Sequence, residues 1–206
     1  MDLQSASLLF VLVSLVISIT IHEAMHAFTA HWLGDPTAHD EGRITLNPLA
    51  HIDILTTVLL PLIMLAFGLP PILAAKPVPF NPNRVRFDEF GAALVGLAGP
   101  LTNLVLAVLA AGVLRTIQPE PGSALLQGLF TFLLINIGLF VFNMLPIPPL
   151  DGSRLLYAVA PEGLQRAMMQ VESYGLAFLI PILFILMPVI GPIINKVSDA
   201  ILTFLL

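Results

Sequence analysis

Polar and apolar residues in this chain are segregated over whole segments rather than turn by turn. Leu8 to Ile21 is predominantly apolar, good helix formers continue to Leu33, and Gly34-Asp35-Pro36 then supplies a helix stop. Residues 34–51 read as a polar loop in which GRITLN (42–47) has the character of a short strand. Residues 54–69 are apolar but carry Pro61 and end in GLPP (68–71). KPVPFNPN (76–83) follows, too rich in proline for helix and suited to extended chain. Residues 91–114 form a long apolar helix, QPEPG (118–122) breaks it, and 124–145 form another that ends at PIPP (146–149). An amphipathic stretch from 152 to 173 contains Arg154, Glu162, Arg166 and Glu172. Residues 174–206 are apolar again, with Pro181, Pro188, Gly191 and Pro192, and predict one or two helices. Runs of this length match a bilayer core of roughly 30 Å. The pattern predicts an all-α, multi-pass membrane protein with short extended or β pieces in its loops. It has about five to six membrane segments and forms a single domain over 1–206.

Composition agrees and narrows the chemistry. Hydrophobic residues make up 57% of the 206 and charged residues 10%, whereas soluble domains carry about 25% charged residues. The net charge of -5 is thinly spread and points away from a nucleic-acid partner. There is no cysteine, so a metal would have to be held by His, Asp or Glu. The opening MDLQSA lacks the basic stretch of a secretory signal, so the first apolar run is expected to stay as a helix.

That first run ends in ITIHEAMHAFTAHWLGD (19–35), which puts two histidines and a glutamate where lipid is expected. His22 and His26 are four residues apart, one turn above the other on a single helical face. Two imidazoles so placed can reach one Zn²⁺. Glu23 is rotated about 100° from His22, off the ligand face but within reach of a water at the metal. Ordinary polar residues at a helix end would also read this way. However, each ionisable group in a membrane segment costs roughly 2.5–3.5 kcal/mol at the bilayer centre, and three at ligand spacing favour metal binding. Catalytic zinc sites use three protein ligands and keep one position open. His31 points to another face, and His39 and His51 lie in the polar loop. Asp151, in NMLPIPPLDG (143–152), follows a span directly on proline-rich, irregular backbone. Such backbone is tolerated at membrane depth only inside protein or at a wet cavity. It suits a third ligand, or else the N-cap of the helix beginning GSRLL. Asn103 and Asn136 suit hydrogen bonding between membrane helices. Asn143, beside the proline-rich segment, suits holding a substrate backbone or an oxyanion.

HEAMH in an apolar helix, GPLTN (99–103) in a later one and NMLPIPPLDG after the next together resemble the site-2 protease family of intramembrane zinc metalloproteases. GDPTAHDEGRITLNPLAHID (34–53) and AKPVPFNP (75–82) are similar to its small prokaryotic branch, which has no PDZ or CBS domain. The resemblance implies that His22, His26 and Asp151 bind one zinc per chain and that Glu23 is the general base. It also implies that Asn143 assists at the scissile bond and that the substrate is a transmembrane protein cut within the bilayer of a prokaryotic cell. One departure is Ser153, where the family's LDGG has its last glycine. A metal transporter or a non-catalytic scaffold is the rival reading. Glu23 argues against the first, because transport has little use for a carboxylate beside the metal. The intact motifs argue against the second.

Topology follows from bringing these residues together. The loop at 34–51 and the segment at 146–173 must share a side, and the helices at 91–114 and 124–145 supply two crossings between them. Residues 52–85 are therefore expected to enter and leave on one side as a re-entrant hairpin. Arg43, Lys76, Arg84, Arg86, Arg154 and Arg166 then share that side, opposite Arg115. The basic side is expected to be cytoplasmic and to hold the site.

Overall fold

The first apolar run winds into one long helix, α1 (Leu3–Trp32), which ends where Gly34 adopts φ +109°. The computed structural model describes residues 3–53 and 76–206, and among these all regular structure is helical. A short α2 (Thr37–Asp40) follows. The second and third long helices are α3 (Asp88–Ile117) and α4 (Ala124–Asn143), the latter started by Ser123, whose side chain accepts from the Leu126 amide. The amphipathic stretch is two helices, α5 (Gly152–Val159) and α6 (Glu162–Ser173), divided at Pro161, which donates no amide. The last apolar stretch is a single helix, α7 (Leu176–Leu205), which carries Pro181, Pro188 and Pro192. Among the described residues, four helices are long and apolar enough to cross a membrane: Ser7–Trp32, Asp88–Ile117, Ala124–Asn143 and Phe178–Leu205.

α3 is central and packs against α1, α4 and α5. Most of its buried positions are small: Ala92, Gly96, Gly99, Asn103, Ala107 and Ala110 lie on a stripe with steps of three and four. Lipid tails are as apolar as Leu, so membrane helices gain from close backbone approach at such stripes rather than from hydrophobic burial. The C-terminal half of α3 closes with Ala107, Ala110, Ala111 and Leu114 against Leu133, Ile137 and Val141 of α4. Leu8, Leu12, Val13 and Val16 of α1 remain exposed, as a lipid-facing surface requires.

The expected strand at GRITLN does not form. Thr45 turns back to the Arg43 carbonyl at 3.0 Å, and Asn47 caps a single 3-10 turn, Pro48–His51. No neighbouring segment among the described residues offers an edge, and a strand without a partner leaves its amides unpaired. Residues 76–81 have no regular structure, in keeping with their prolines, with Asn81 extended, and they too form no ladder. The hairpin expected over 52–85 falls mainly on residues 54–75, outside the described residues. Its flanks are joined: the Lys76 amide donates to the His51 carbonyl at 2.9 Å, and the Arg86 amide donates to the Leu33 carbonyl at 2.9 Å.

A buried carboxylate stabilises this junction. Asp35 is fully buried and accepts from the Thr37 hydroxyl at 2.6 Å, the Thr37 amide at 3.1 Å and the Asn81 amide at 2.5 Å. Burial disfavours its charge, but these donors and the nearby Arg84 hold its carboxyl below the usual range. Asp35 therefore ties the end of α1 to residues 81–86 as a charged hydrogen-bond acceptor.

Candidate metal centre

The i, i+4 spacing on α1 puts His22 and His26 on one buried face, where both side chains point at α3. Their Nε2 atoms are 3.0 Å apart. Asp151 comes from the turn that joins α4 to α5, and its Oδ2 lies 3.1 Å from His22 Nε2 and 3.3 Å from His26 Nε2. Among the described residues these three form a cluster whose ligand atoms are close enough together to hold a metal ion. A tetrahedral zinc with bonds of about 2.0–2.1 Å sets its ligand atoms roughly 3.3–3.4 Å apart. The triangle is within a few tenths of an ångström of one face of that tetrahedron.

The protons support the same arrangement. His26 Nδ1 donates to the Val95 carbonyl at 2.7 Å, and His22 Nδ1 donates to Asn103 Oδ1 at 2.6 Å. With Nδ1 protonated, a neutral imidazole has only a lone pair at Nε2. Two such lone pairs and a carboxylate oxygen then face one point, an arrangement that an inserted cation resolves. Asp151 supplies a carboxylate oxygen, the anionic donor that completes such a set.

Two glycines make room for the centre. A Cβ at Gly99 would stand within 2.6 Å of both imidazoles. A Cβ at Gly152 would meet the Leu145 carbonyl oxygen at 2.8 Å and Met144 more closely still. Gly152 is needed for space, so that α5 can start against the end of α4 and bring Asp151 inward. It is not needed for an unusual torsion, since its φ is not positive.

Asp151 does occupy the residue before α5, yet its side chain makes no capping hydrogen bond. Its carboxylate is turned to the imidazoles instead, and the N-cap alternative fails on that ground. Glu23 is half-buried, next to His22 in the same turn of α1. Asn143 is half-buried, with its amide nitrogen donating to Leu139 of its own helix at 3.0 Å. The structure does not bring Asn143 into contact with the triangle. His39 is exposed and stacks on His31, and His51 Nε2 donates to the Thr45 carbonyl in the loop, so none of these three joins the cluster.

Some supporting residues were not singled out by sequence reasoning. Ser14 and Ser18 continue the four-residue spacing of His22 and His26, and all four are buried. That polar stripe inside an apolar helix was the available signal. Arg154, one turn into α5, pairs with Glu172 of α6 and lies over the Phe80 ring, tying the segment after Asp151 to the 76–86 strap.

Known proteins share this chain's pattern. A family model described as Peptidase family M50 matches residues 121–188. A Bacillus subtilis protein named "Putative zinc metalloprotease YwhC" is 36% identical over 204 residues, covering 94% of this chain and 89% of that one. A Mycolicibacterium smegmatis protein named "Putative zinc metalloprotease Rip2" is 30% identical, covering 89% of this chain and 69% of that one. A Methanocaldococcus jannaschii protein, "Putative zinc metalloprotease MJ0611", is 48% identical over 63 residues, 30% of this chain and 31% of that one. No solved structure matches.

Proposed function

The chain belongs to peptidase family M50 and is a membrane zinc metalloprotease, and from that premise we propose that it cuts peptide bonds in or near transmembrane segments of membrane proteins. We assign the zinc to His22 Nε2, His26 Nε2 and Asp151 Oδ2, one ion per chain, within a single protease domain. The observation that carries this assignment is the convergence of two imidazole lone pairs and a carboxylate at 3.0–3.3 Å.

Bound zinc supplies Lewis acidity, which lowers the pKa of coordinated water and polarises a peptide carbonyl. The chain supplies the proton transfers and the orientation. Glu23, one residue from a ligand and outside the triangle, takes the proton of the attacking water on its carboxylate and delivers it to the leaving amine nitrogen. Asn143 has its Nδ2 committed to Leu139, and its Oδ1 is suited to accept from a substrate backbone N–H. A helical substrate has its amides already paired, so it must unwind locally before attack. The segment 76–81 is suited to receive the opened strand, since extended peptides add to exposed backbone edges.

The zinc triangle lies towards the α1 terminus that carries the 34–51 loop. Its side of the bundle carries Arg43, Arg84, Arg86 and Arg154, whereas Arg115 ends α3 at the other. By the positive-inside rule the site opens to the cytoplasmic side of a prokaryotic cell membrane. Quantitative membrane proteomics of cells carrying wild type or Glu23→Gln tests the reading. A membrane protein that accumulates uncut in the variant identifies the substrate. If no membrane protein differs, and purified enzyme cuts transmembrane and soluble peptides equally, the intramembrane reading is refuted.

A further inference from the structure

A chain of buried hydrogen bonds leads away from His22 to α4. His22 Nδ1 meets Asn103 Oδ1 at 2.6 Å, and Asn103 Nδ2 donates to Asn136 Oδ1 at 2.9 Å. Asn136 Nδ2 donates in turn to the Phe132 carbonyl at 2.9 Å and to Ser18 Oγ at 2.8 Å. Ser18, Asn103 and Asn136 are all fully buried. Only one member of this chain has a polarity that cannot change: the Phe132 backbone carbonyl, which accepts and never donates. Its presence orients the Asn136 amide with nitrogen towards Phe132 and oxygen towards Asn103. Asn103 must then offer nitrogen to Asn136 and oxygen to His22. An oxygen facing Nδ1 in turn requires that Nδ1 carry the hydrogen. Inverting any one amide would set two donors or two acceptors face to face in a place without water, which is costly.

We propose that Asn103 and Asn136 are positioning residues for the metal centre: the Phe132 carbonyl, relayed through their two amides, holds His22 in the tautomer whose Nε2 is free for zinc. This rests on the zinc assignment above. His26 is held in the same tautomer by the simpler device of a direct bond to the Val95 carbonyl. His22 lies one turn earlier in α1 and meets the Asn103 side-chain amide of α3 where His26 meets a backbone carbonyl of the same helix. Asn136 does not touch either imidazole, so an effect of its substitution on His22 alone is specific to the relay. Ser18, four residues before His22, closes the circuit on α1 and so fixes the register between α1 and α4 together with the tautomer.

The test compares full-length wild type, Asn136→Leu, Asn103→Leu and the double variant Asn103→Asp/Asn136→Leu in lipid membranes. Chelator-stripped, ¹⁵N-histidine-labelled protein is read by solid-state NMR, and zinc affinity by chelator competition. Wild-type His22 is expected as a single Nδ1–H tautomer. Asn136→Leu should give His22 as a tautomer mixture while His26 is unchanged, with zinc affinity lowered about 10-fold; Asn103→Leu should lower it up to about 100-fold, the range seen when groups behind a metal-bound histidine are lost. The double variant should regain affinity over Asn136→Leu, because a carboxylate at 103 accepts from Nδ1–H without needing Asn136. Unchanged His22 tautomer and zinc affinity in Asn136→Leu would overturn the proposal. Equal disturbance of His22 and His26 with no recovery in the double variant would also overturn it, by showing that Asn136 only holds helices together. Failure of wild type to bind zinc would instead refute the metal assignment, and the tautomer readout of the stripped protein would still decide the relay.

Discussion

Gly99→Ala adds a single methyl group at the most crowded point of the metal centre. The new Cβ would lie within 2.6 Å of His22 Cε1 and Nε2 and against His26 Nε2. Carbon and nitrogen atoms in contact settle at about 3.5–4.0 Å, so the methyl overlaps both imidazoles by roughly 1 Å. Neither ring can retreat without breaking its Nδ1 bond to Asn103 or Val95. Moving α3 away from α1 would open the triangle that now measures 3.0–3.3 Å on its edges. Overpacking of this kind costs about 1–3 kcal/mol. If that cost falls on the zinc-binding arrangement, affinity drops about 5- to 150-fold, at tenfold for each 1.4 kcal/mol. The assay is chelator competition on purified protein, with helical content and thermal unfolding followed in parallel. Gly112→Ala is the control, since it lies on the same helix and its Cβ would meet nothing within 4 Å; it should bind zinc as wild type does. Wild-type zinc affinity in Gly99→Ala would refute the close-packed geometry described for this centre.

Glu23→Gln should lower proteolysis by at least the 10²–10⁴-fold typical of a lost general base, while zinc stays near one per chain by metal analysis. Asp151→Ala should lose both zinc and activity, and normal zinc content in it would return Asp151 to a purely structural role. Asp35→Asn should destabilise the folded chain by about 1–3 kcal/mol at neutral pH, as for a buried hydrogen-bonded charge whose donors lose their partner. Because the folded-state pKa of Asp35 lies below its ordinary value, the wild-type advantage is full above the unfolded carboxyl pKa. It fades as pH falls below about 4 and through the folded value, which thermal melts across pH 3–7 can follow. Cysteines placed at Asp40 and Asn83, both exposed, should be equally protected from an impermeant thiol reagent applied outside intact cells; labelling of one alone would overturn the shared-side topology.

Much of this protein is legible along the chain because the governing physics is local. A spanning helix is a matter of apolar length, and α1, α3 and α4 end within a few residues of where Gly, Pro and Ser signal it. The pairing of His22 with His26 needs only the pitch of one helix. Other features had no local signature. Asp151 on its irregular segment suits a ligand but, before GSRLL, also an N-cap, and only the arrival of α1 alongside, 125 residues away in the chain, turns its carboxylate to the imidazoles. GRITLN has the residues of a strand, but strands are made by partners, and none is present among the described residues. Asn103 and Asn136 read correctly as amides that bridge helices. What they bridge to depends on the depth at which α1, α3 and α4 cross, which is set by the small-residue stripe on α3 and by Ser18. Periodicity and composition are properties of neighbours in sequence. The approach of Asp151 to the two imidazoles, the space left by Gly99 and the orientation of each buried amide are properties of neighbours in space, and they exist only once the helices have packed.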